Sequence, residues 1–156
     1  MTDPVPVKGA GPVTVVVVEP SDPCYYAARE VRFSALYEPW GLPRRLVDDA
    51  DGLEYVHFVA VSDDGSVIGY ARLHLEGGES KAYQVAVDEP WRTRGVGRAL
   101  MTAVAQRASA EGRDRLHLDA RVYAIPFYER LGFTAEGDTF ISGRTGTPHR
   151  RMHRPL

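Results

Sequence analysis

The chain has 156 residues, of which 44% are hydrophobic and 26% are charged, and these values are those of one ordinary globular domain. A formal net charge of −2 gives no electrostatic case for nucleic-acid binding, and a single cysteine excludes both a disulfide framework and a cysteine-based zinc cluster. The longest apolar run near the start, Val15 to Val18, is too short for a membrane span or a signal-peptide core. We therefore expect a soluble cytoplasmic protein that binds neither nucleic acid nor membrane.

The first third of the chain alternates loop signals with short apolar runs. Residues 1–12 combine proline and glycine without periodicity, which predicts a flexible leader before a single domain over 13–156. A β-branched run at 14–19 predicts a strand. The following Ser-Asp-Pro triplet predicts the start of a helix that continues to about Tyr37. The acidic stretch 48–54 is typical of a solvated loop or a short helix.

The rest of the chain predicts further strands and two helices. Helical periodicity over 96–111 ends at a glycine, and a shorter helix over 124–131 also ends at a glycine. The predicted strands are 57–61, 67–75, 83–87, 116–120, 134–140 and 148–153. Hairpins followed by strand–helix–strand–helix units predict a mixed α/β sheet with helices on both faces.

The segment 85–101, VAVDEPWRTRGVGRALM, carries the strongest chemical signal. A helix begins around Gly95-Val96-Gly97, and its first amides have no internal acceptor and lie at the positive end of the helix dipole. The two glycines lack the β-carbons that would keep a phosphate away from these amides. Positive charge suited to phosphate oxygens comes from Arg92, Arg94 and Arg98. The pattern predicts an anion seat at residues 92–98, although a plain turn with solvated arginines produces the same pattern.

Two motifs in this chain resemble those of the GNAT superfamily of acyl-CoA-dependent N-acyltransferases. Residues 92–97, RTRGVG, resemble its pyrophosphate motif, and residues 124–133, AIPFYERLGF, resemble its second signature, Ala-x-x-Phe-Tyr-x-x-x-Gly-Phe. The resemblance covers roughly residues 13–156. A narrower similarity to the small bacterial ElaA-like branch rests on Arg32, Glu38, Gly41 to Pro43, His57 to Ala60, Pro148, His149 and Met152.

Three features depart from the ElaA-like pattern on the acceptor side. Arg121 stands where that branch often has glutamine, and Tyr123 stands where it often has histidine. The stretch 143–147 is also longer than usual. These departures leave the cofactor motif intact.

The resemblance implies a mostly antiparallel sheet of six or seven strands that splays between its fourth and fifth strands, with acyl-CoA in the gap. The pantetheine arm is expected on the backbone of Val85 and Val87. The pyrophosphate is expected on the amides of residues 92–98. Acetyl-CoA is then the cosubstrate, and no metal is needed. The acceptor is expected to be an amine of a small molecule or a peptide, and the protein a monomer or a homodimer.

The implied reaction is attack of a neutral amine on a thioester, which needs an oxyanion donor, an acid and a base. The backbone N–H of Val87 is the expected oxyanion donor. Tyr128 is the expected acid, because the ordinary tyrosine pKa of about 10 is close to that of a thiol. The base is left open between a water chain and four residues that could line the acceptor side, with His149 preferred: His149, Glu38, His57 and Asp119. Tyr123 is also expected on the acceptor side.

A rival from another functional class is a non-catalytic acyl-CoA-binding module that regulates a partner protein. Tyr128 favours the enzyme, whereas the unusual Arg121 and Tyr123 keep the rival open. His149 and His153 are four residues apart, but the neighbouring proline and arginines favour a strand and no third metal ligand is evident.

Overall fold

The computed structural model describes residues 2–48 and 53–156, so Asp49 and Asp51 of the acidic stretch lie outside the described residues. The strands are β1 (Thr14–Val18), β2 (Val56–Val61), β3 (Val67–Glu76), β4 (Glu79–Val87), β5 (Arg115–Arg121), β6 (Thr134–Ile141) and β7 (Pro148–Pro155). The helices are α1 (Pro23–Leu36), α2 (Val96–Ala110) and α3 (Ile125–Arg130). Every predicted element is confirmed, although β4 begins four residues earlier than its alternation predicted. Within the described ranges, no helix is both long enough and apolar enough to cross a membrane.

Helix α1 begins where a side-chain cap and a proline coincide. The Asp22 side chain accepts a hydrogen bond from the Cys24 N–H at 2.8 Å, and Pro23 occupies the first helical turn, where its missing N–H costs nothing. Three small or branched residues at helical spacing, Ala28, Val31 and Ala35, are buried. The helix therefore lies with this face on the sheet.

The seven strands form one sheet in the order β1-β2-β3-β4-β5-β7-β6. Neighbouring strands are antiparallel except β4 and β5, which are parallel and pair only at Lys81 with His117 and at Ala82 with Leu118. Beyond Ala82 the two strands separate. The expected splay between the fourth and fifth strands is thus confirmed.

The two long helices lie on opposite faces of the sheet. Side chains alternate along β2, so that Phe58 belongs to the core under α2 and Val59 belongs to the smaller core under α1. Helix α3 joins the α2 side, because Tyr128 belongs to the same core as Leu100. Helices on both faces were expected, and this arrangement is confirmed.

The first residues pack against the domain, whereas the sequence predicted a flexible leader. Val5 and Val13 exchange backbone hydrogen bonds at 2.7 and 2.8 Å, and the side chain of Val7 is buried in the α2 core. The Lys8 N–H donates to the Arg94 carbonyl at 3.2 Å. Proline and glycine interrupt regular secondary structure in this segment. Val5 and Val7 nevertheless pack against the α2 core, which holds the segment on the domain.

Candidate active site

The splay between β4 and β5 opens a cavity of about 370 Å³, here named the central cavity. It is lined by β4 at Tyr83 to Val85, by β5 at Leu118 to Arg121, by the helical segment at Tyr123, Ala124 and Tyr128, and by the β6–β7 region at Phe140, Ser142, Arg144, Thr145 and His149, with further residues from the other side. The fold therefore brings together five residues that the sequence proposed for the site: Val85, Asp119, Tyr123, Tyr128 and His149.

A β-bulge shapes the β4 wall of this cavity. Tyr70 pairs with Ala86 and Arg72 pairs with Tyr83, so one residue of β3 opposes two residues of β4. Gln84, within the bulge, has a left-handed φ of 50°. Such backbone is uncommon for a residue with a side chain and is found where the surroundings hold it in place.

Arg32 on α1 holds Gln84 in this conformation. Its Nη1 donates to Gln84 Oε1 at 3.0 Å, and Gln84 Nε2 donates to the Tyr37 hydroxyl at 3.1 Å. The guanidinium lies 4.5 Å from the ring centroid of Tyr70. The sequence offered one signal for this role, because Arg32 is a charged residue on the apolar face of α1. The left-handed Gln84 had no such signal.

The backbone of Val87 faces the gap between β4 and β5. The Asp88 N–H donates to the Ile68 carbonyl of β3 at 2.8 Å, and adjacent residues of a strand present their N–H groups to opposite edges. The N–H and carbonyl of Val87 therefore point away from β3. Arg92 Nε donates to that carbonyl at 3.1 Å, so one arginine of the anion seat is anchored at the gap.

The amides at the start of α2 form the centre of the anion seat. Gly95 is the N-cap with φ 99°, no side chain of the described residues caps the helix, and no acidic residue lies in its first turn. The Ala99 N–H bonds the Gly95 carbonyl at 3.0 Å, so the three amides of residues 96–98 precede the helix's own hydrogen bonding. Thr93 is also left-handed, with φ 62°. An uncapped helix start after two left-handed residues fits an anion.

Two residues of the anion seat also make contacts that the sequence did not indicate. A β-carbon on Gly97 would lie 2.9 Å from Phe127 Cζ, so this glycine also lets the α3 aromatic approach α2. Arg94 turns towards the first residues, where Nη1 donates to the Gly9 carbonyl at 3.2 Å. One donor of Arg94 is therefore tied to the packed N-terminal segment, and the grouping of the three arginines around the amides stays a prediction.

A second cavity of about 550 Å³ adjoins the anion seat. It lies between residues 2–6 and the first half of α2, and Gly95 and Arg98 line it. Val96 between them turns its side chain into the core, where it is 1% exposed. The seat and this cavity form a continuous surface along the start of α2.

Tyr128 is buried and lines the central cavity. Its ring packs edge-on against Phe127 and Phe133. Burial, together with the nearby Tyr123, raises the pKa of Tyr128 above the ordinary tyrosine value. The hydroxyl is therefore a weaker acid than the sequence argument assumed, but it keeps its proton throughout the neutral range.

His149 lies in the central cavity with its tautomer set by the backbone. Nδ1 is 2.9 Å from the Thr147 carbonyl oxygen, which can only accept, so Nδ1 carries the proton in the neutral ring. The other nitrogen, Nε2, is then an acceptor. The ring stacks with Phe140 at a centroid separation of 6.0 Å. This is the arrangement that a general base requires.

Asp119 lines the central cavity but is bound by two cations. Lys81 Nζ contacts Oδ2 at 2.7 Å, and Arg151 Nε donates to Oδ1. Burial alone would raise the pKa of Asp119, but these hydrogen bonds outweigh it and lower the pKa below its usual value. A carboxylate held in this way is a poor proton acceptor.

Asp119→Asn should reduce the free energy of unfolding by about 1–2 kcal/mol at pH 7, because hydrogen bonds to charged groups are lost. The folded pKa of Asp119 is lowered, so its stabilisation is complete above the unfolded value of about 3.9 and is lost as the pH falls through the folded pKa. Urea unfolding of both proteins should show a gap that closes below about pH 4. A gap of constant size from pH 7 to pH 3 would contradict this account.

Three proposed residues lie away from the interior of the central cavity. Glu38 is exposed on the turn after α1 and does not line it. His57 is buried on β2 with Nδ1 2.6 Å from the Tyr70 hydroxyl, so it joins the layer behind the bulge. Tyr123 lines the rim, 63% exposed and stacked on Trp40. Among the described residues, no group of three or more His, Cys, Asp or Glu could hold a metal ion.

Comparisons with known proteins agree with this architecture. One relative is a Bacillus subtilis (strain 168) protein that is named as an acetyltransferase. It is 23% identical to this chain over 128 residues, which cover 80% of this chain and 84% of that protein. The crystal structure of Escherichia coli ElaA has a TM-score of 0.74 and 21% identity, and the match covers 91% of this chain and 99% of ElaA.

An acetyltransferase of the GNAT family from Elizabethkingia anophelis, solved with acetyl-CoA bound, has a TM-score of 0.70 and 16% identity. That match covers 92% of this chain and 98% of the other. Both structural similarities show a shared fold. The family model described as Acetyltransferase (GNAT) family matches residues 20–133, which is most of the chain. The chain therefore belongs to the acetyltransferase (GNAT) family.

Proposed function

We propose that this protein transfers an acetyl group from acetyl-CoA to a primary amine of a small molecule or a peptide, with both substrates bound at once. The observation that carries the proposal is the open gap between β4 and β5. Strand β4 runs along this gap to Val87, shortly before the uncapped start of α2, and the cavity in the gap is lined by Tyr128 and His149. Membership of an acetyltransferase family supports acyl transfer in general.

The residues present fit acetyl-CoA on structural grounds. The amides of residues 96–98 would hold the pyrophosphate, and Arg92 and Arg98 would add positive charge. The second cavity beside the seat leaves room for the nucleotide end. The backbone of Val85 and Val87 along the gap would hold the pantetheine arm. The bound cosubstrate supplies an activated acyl group as a thioester.

The chain's own groups have three tasks. His149 Nε2 accepts a proton from the acceptor ammonium, because Nδ1–H is committed to Thr147. The Val87 N–H donates to the carbonyl oxygen on which negative charge develops, since it points into the gap. Tyr128 delivers its proton to the departing sulfur as the carbon–sulfur bond breaks, and the second proton lost by the amine nitrogen restores the hydroxyl. The single free cysteine accords with a reducing compartment, so we place this activity in the cytoplasm.

Binding should be visible without any knowledge of the acceptor. Acetyl-CoA at 100 times its dissociation constant should raise the free energy of unfolding by about 2.7 kcal/mol. For a domain of this size that is an increase in Tm of roughly 5–10 °C. Thermal melting with and without acetyl-CoA measures it, with inorganic pyrophosphate as the control ligand. A melting curve that millimolar acetyl-CoA leaves unchanged would remove the basis of the proposal.

Turnover separates the enzyme from the rival non-catalytic acyl-CoA-binding module. Release of free CoA thiol from acetyl-CoA, measured across a panel of amines, should exceed the rate without an amine. The rival predicts the same increase in Tm with no amine-dependent release. The presence of an acid and a base in one cavity favours the enzyme.

A further inference from the structure

Three arginines line the central cavity, and two of them, Arg121 and Arg144, form no ion pair with a carboxylate of the described residues. Arg121 ends β5, and its Nη2 donates to the Leu36 carbonyl. Arg144 lies between β6 and β7, and its Nη2 donates to the Leu46 carbonyl. A guanidinium has five N–H donors, so each group retains donors beyond the one backbone contact that holds it.

Arg121 is held in a fixed plane. Its guanidinium lies 4.2 Å from the ring centroid of Trp40, and Trp40 stacks on Tyr123 at 5.6 Å. Its Nη1 is buried and has no hydrogen-bond partner within the described part of the chain. Charged groups are normally satisfied by several hydrogen bonds, so Arg121, which lines the cavity with few partners, has donors to offer to an anion that binds there.

The charges of the described side chains that line the cavity sum to a positive value. Asp119 is the one carboxylate among the described lining residues, and Lys81 and Arg151 already neutralise it. Within the described part of the chain, no carboxylate is therefore left to compensate the guanidinium groups of Arg121 and Arg144 there. Such a cavity repels a purely cationic amine and attracts a molecule that combines an amine with an anion.

We propose that the acceptor is a small amine that also carries a carboxylate or a phosphate, and that Arg121, assisted by Arg144, binds this anionic group. The inference rests on the proposed function and specifies its substrate class. Arg121 and His149 are register partners on β5 and β7, so their β-carbons are about 5 Å apart. An anion on Arg121 therefore brings the nearby amine beside His149. Arg121 and the region of Arg144 are also where the sequence departs from the ElaA-like pattern.

The test compares matched acceptors at equal concentrations of neutral amine. The pairs are L-phenylalanine with L-phenylalaninamide, and glucosamine 6-phosphate with glucosamine; spermidine is the cationic acceptor. The wild-type protein should prefer the anionic member of at least one pair by about tenfold or more in kcat/KM. The carboxylate pair and the phosphate pair distinguish the two possible anions. Spermidine should be the poorest acceptor.

Substitutions of Arg121 and Arg144 test whether these side chains cause the preference for anionic acceptors. Arg121→Gln should lower kcat/KM for the anionic acceptor by about tenfold to a hundredfold and change the neutral partner by less than about threefold. Arg121→Lys should lose less of this kcat/KM, because the positive charge remains although the paired donors of the guanidinium are lost. Arg150→Gln is the matched control, since Arg150 also holds one backbone carbonyl, that of Gly137, but does not line the cavity. Arg144→Gln tests the same selectivity if Arg121→Gln does not fold.

Three results would overturn the proposal, and they can be told apart. Equal or better turnover of the neutral amines or spermidine by the wild-type protein would refute the anionic acceptor and leave the acetyltransferase intact. A selectivity that Arg121→Gln and Arg144→Gln both retain would also refute it. An increase in Tm with acetyl-CoA but no CoA release with any of the five acceptors would count against the proposed function itself, and the acceptor class would fall with it.

Discussion

Tyr128→Phe is expected to reduce kcat by roughly 10²- to 10⁴-fold, which is the usual size of a general-acid contribution. The ring remains, so its edge-on contacts with Phe127 and Phe133 and the acetyl-CoA affinity should change little. The loss should appear equally in kcat and kcat/KM, because the proton is delivered only in the transition state. Steady-state CoA release and the Tm increase with acetyl-CoA measure the two quantities.

The matched control for this variant is Tyr25→Phe. Tyr25 is as buried as Tyr128, at 8% exposure, but it belongs to α1, packs in the smaller core and does not line the central cavity. The turnover of Tyr25→Phe per folded molecule should stay within about twofold of the wild-type value. If Tyr128→Phe also turns over at the wild-type rate while chemistry limits the rate, Tyr128 is a packing residue only.

The pH profile gives a second view of Tyr128. Burial raises the pKa of this hydroxyl above about 10, so it stays protonated at any pH at which the protein is normally assayed. The wild-type rate should therefore not fall between pH 8 and roughly pH 10 on account of Tyr128. A fall in that range that disappears in Tyr128→Phe would contradict the raised pKa.

Gly95→Val should weaken acetyl-CoA binding by roughly tenfold to a hundredfold, the equivalent of a backbone penalty of about 1–3 kcal/mol. Gly95 has φ 99°, which a β-branched residue rarely adopts, and a β-carbon there would meet no atom of the described residues within 4 Å. The cost is therefore conformational. A valine that relaxes φ to a negative value turns the amides of residues 96–98 away from their common direction. Isothermal titration with acetyl-CoA measures the loss.

Gly112→Val makes the same change at the other end of α2. Gly112 has φ 79° and equally open surroundings, but it is remote from the anion seat in the chain. Both variants should lose a similar part of the unfolding free energy, and only Gly95→Val should lose acetyl-CoA affinity. Equal affinities in the two folded variants would mean that the phosphates do not bind at the start of α2. Gly97 is less suitable for this test, because its substitution also meets Phe127.

Most of the fold was predictable from local signals in the chain. The Ser-Asp-Pro start of α1 and the glycine after α2 are recognisable because capping and left-handed termination depend on neighbouring residues alone. Alternating branched residues predicted the strands for the same reason. The start of β4 was missed because Glu79 to Ala82 shows no clear alternation, and pairing with β3 extends the strand there.

The candidate site was predictable only where a contiguous motif carried it. The seat at residues 92–98 and the place of Tyr128 in AIPFYERLGF are visible in the sequence, because one turn or one helix positions each of them. The roles of Arg94 and Gly97 were not visible in this way. Their contacts with Gly9 and Phe127 are made by segments about 30 or more residues away.

By itself the sequence determined the elements, the two motifs and the departures at Arg121 and the stretch 143–147. Tertiary structure decided which polar residues share the central cavity. Asp119 lies in it but is neutralised by Lys81 and Arg151, whereas His57 is directed behind the bulge to Tyr70. Arg121 comes to lie beside His149 because β5 pairs with β7 in one register. The physical reason is that caps and periodicity act over a few residues, whereas burial, ion pairing and cross-strand register depend on segments that meet only after folding.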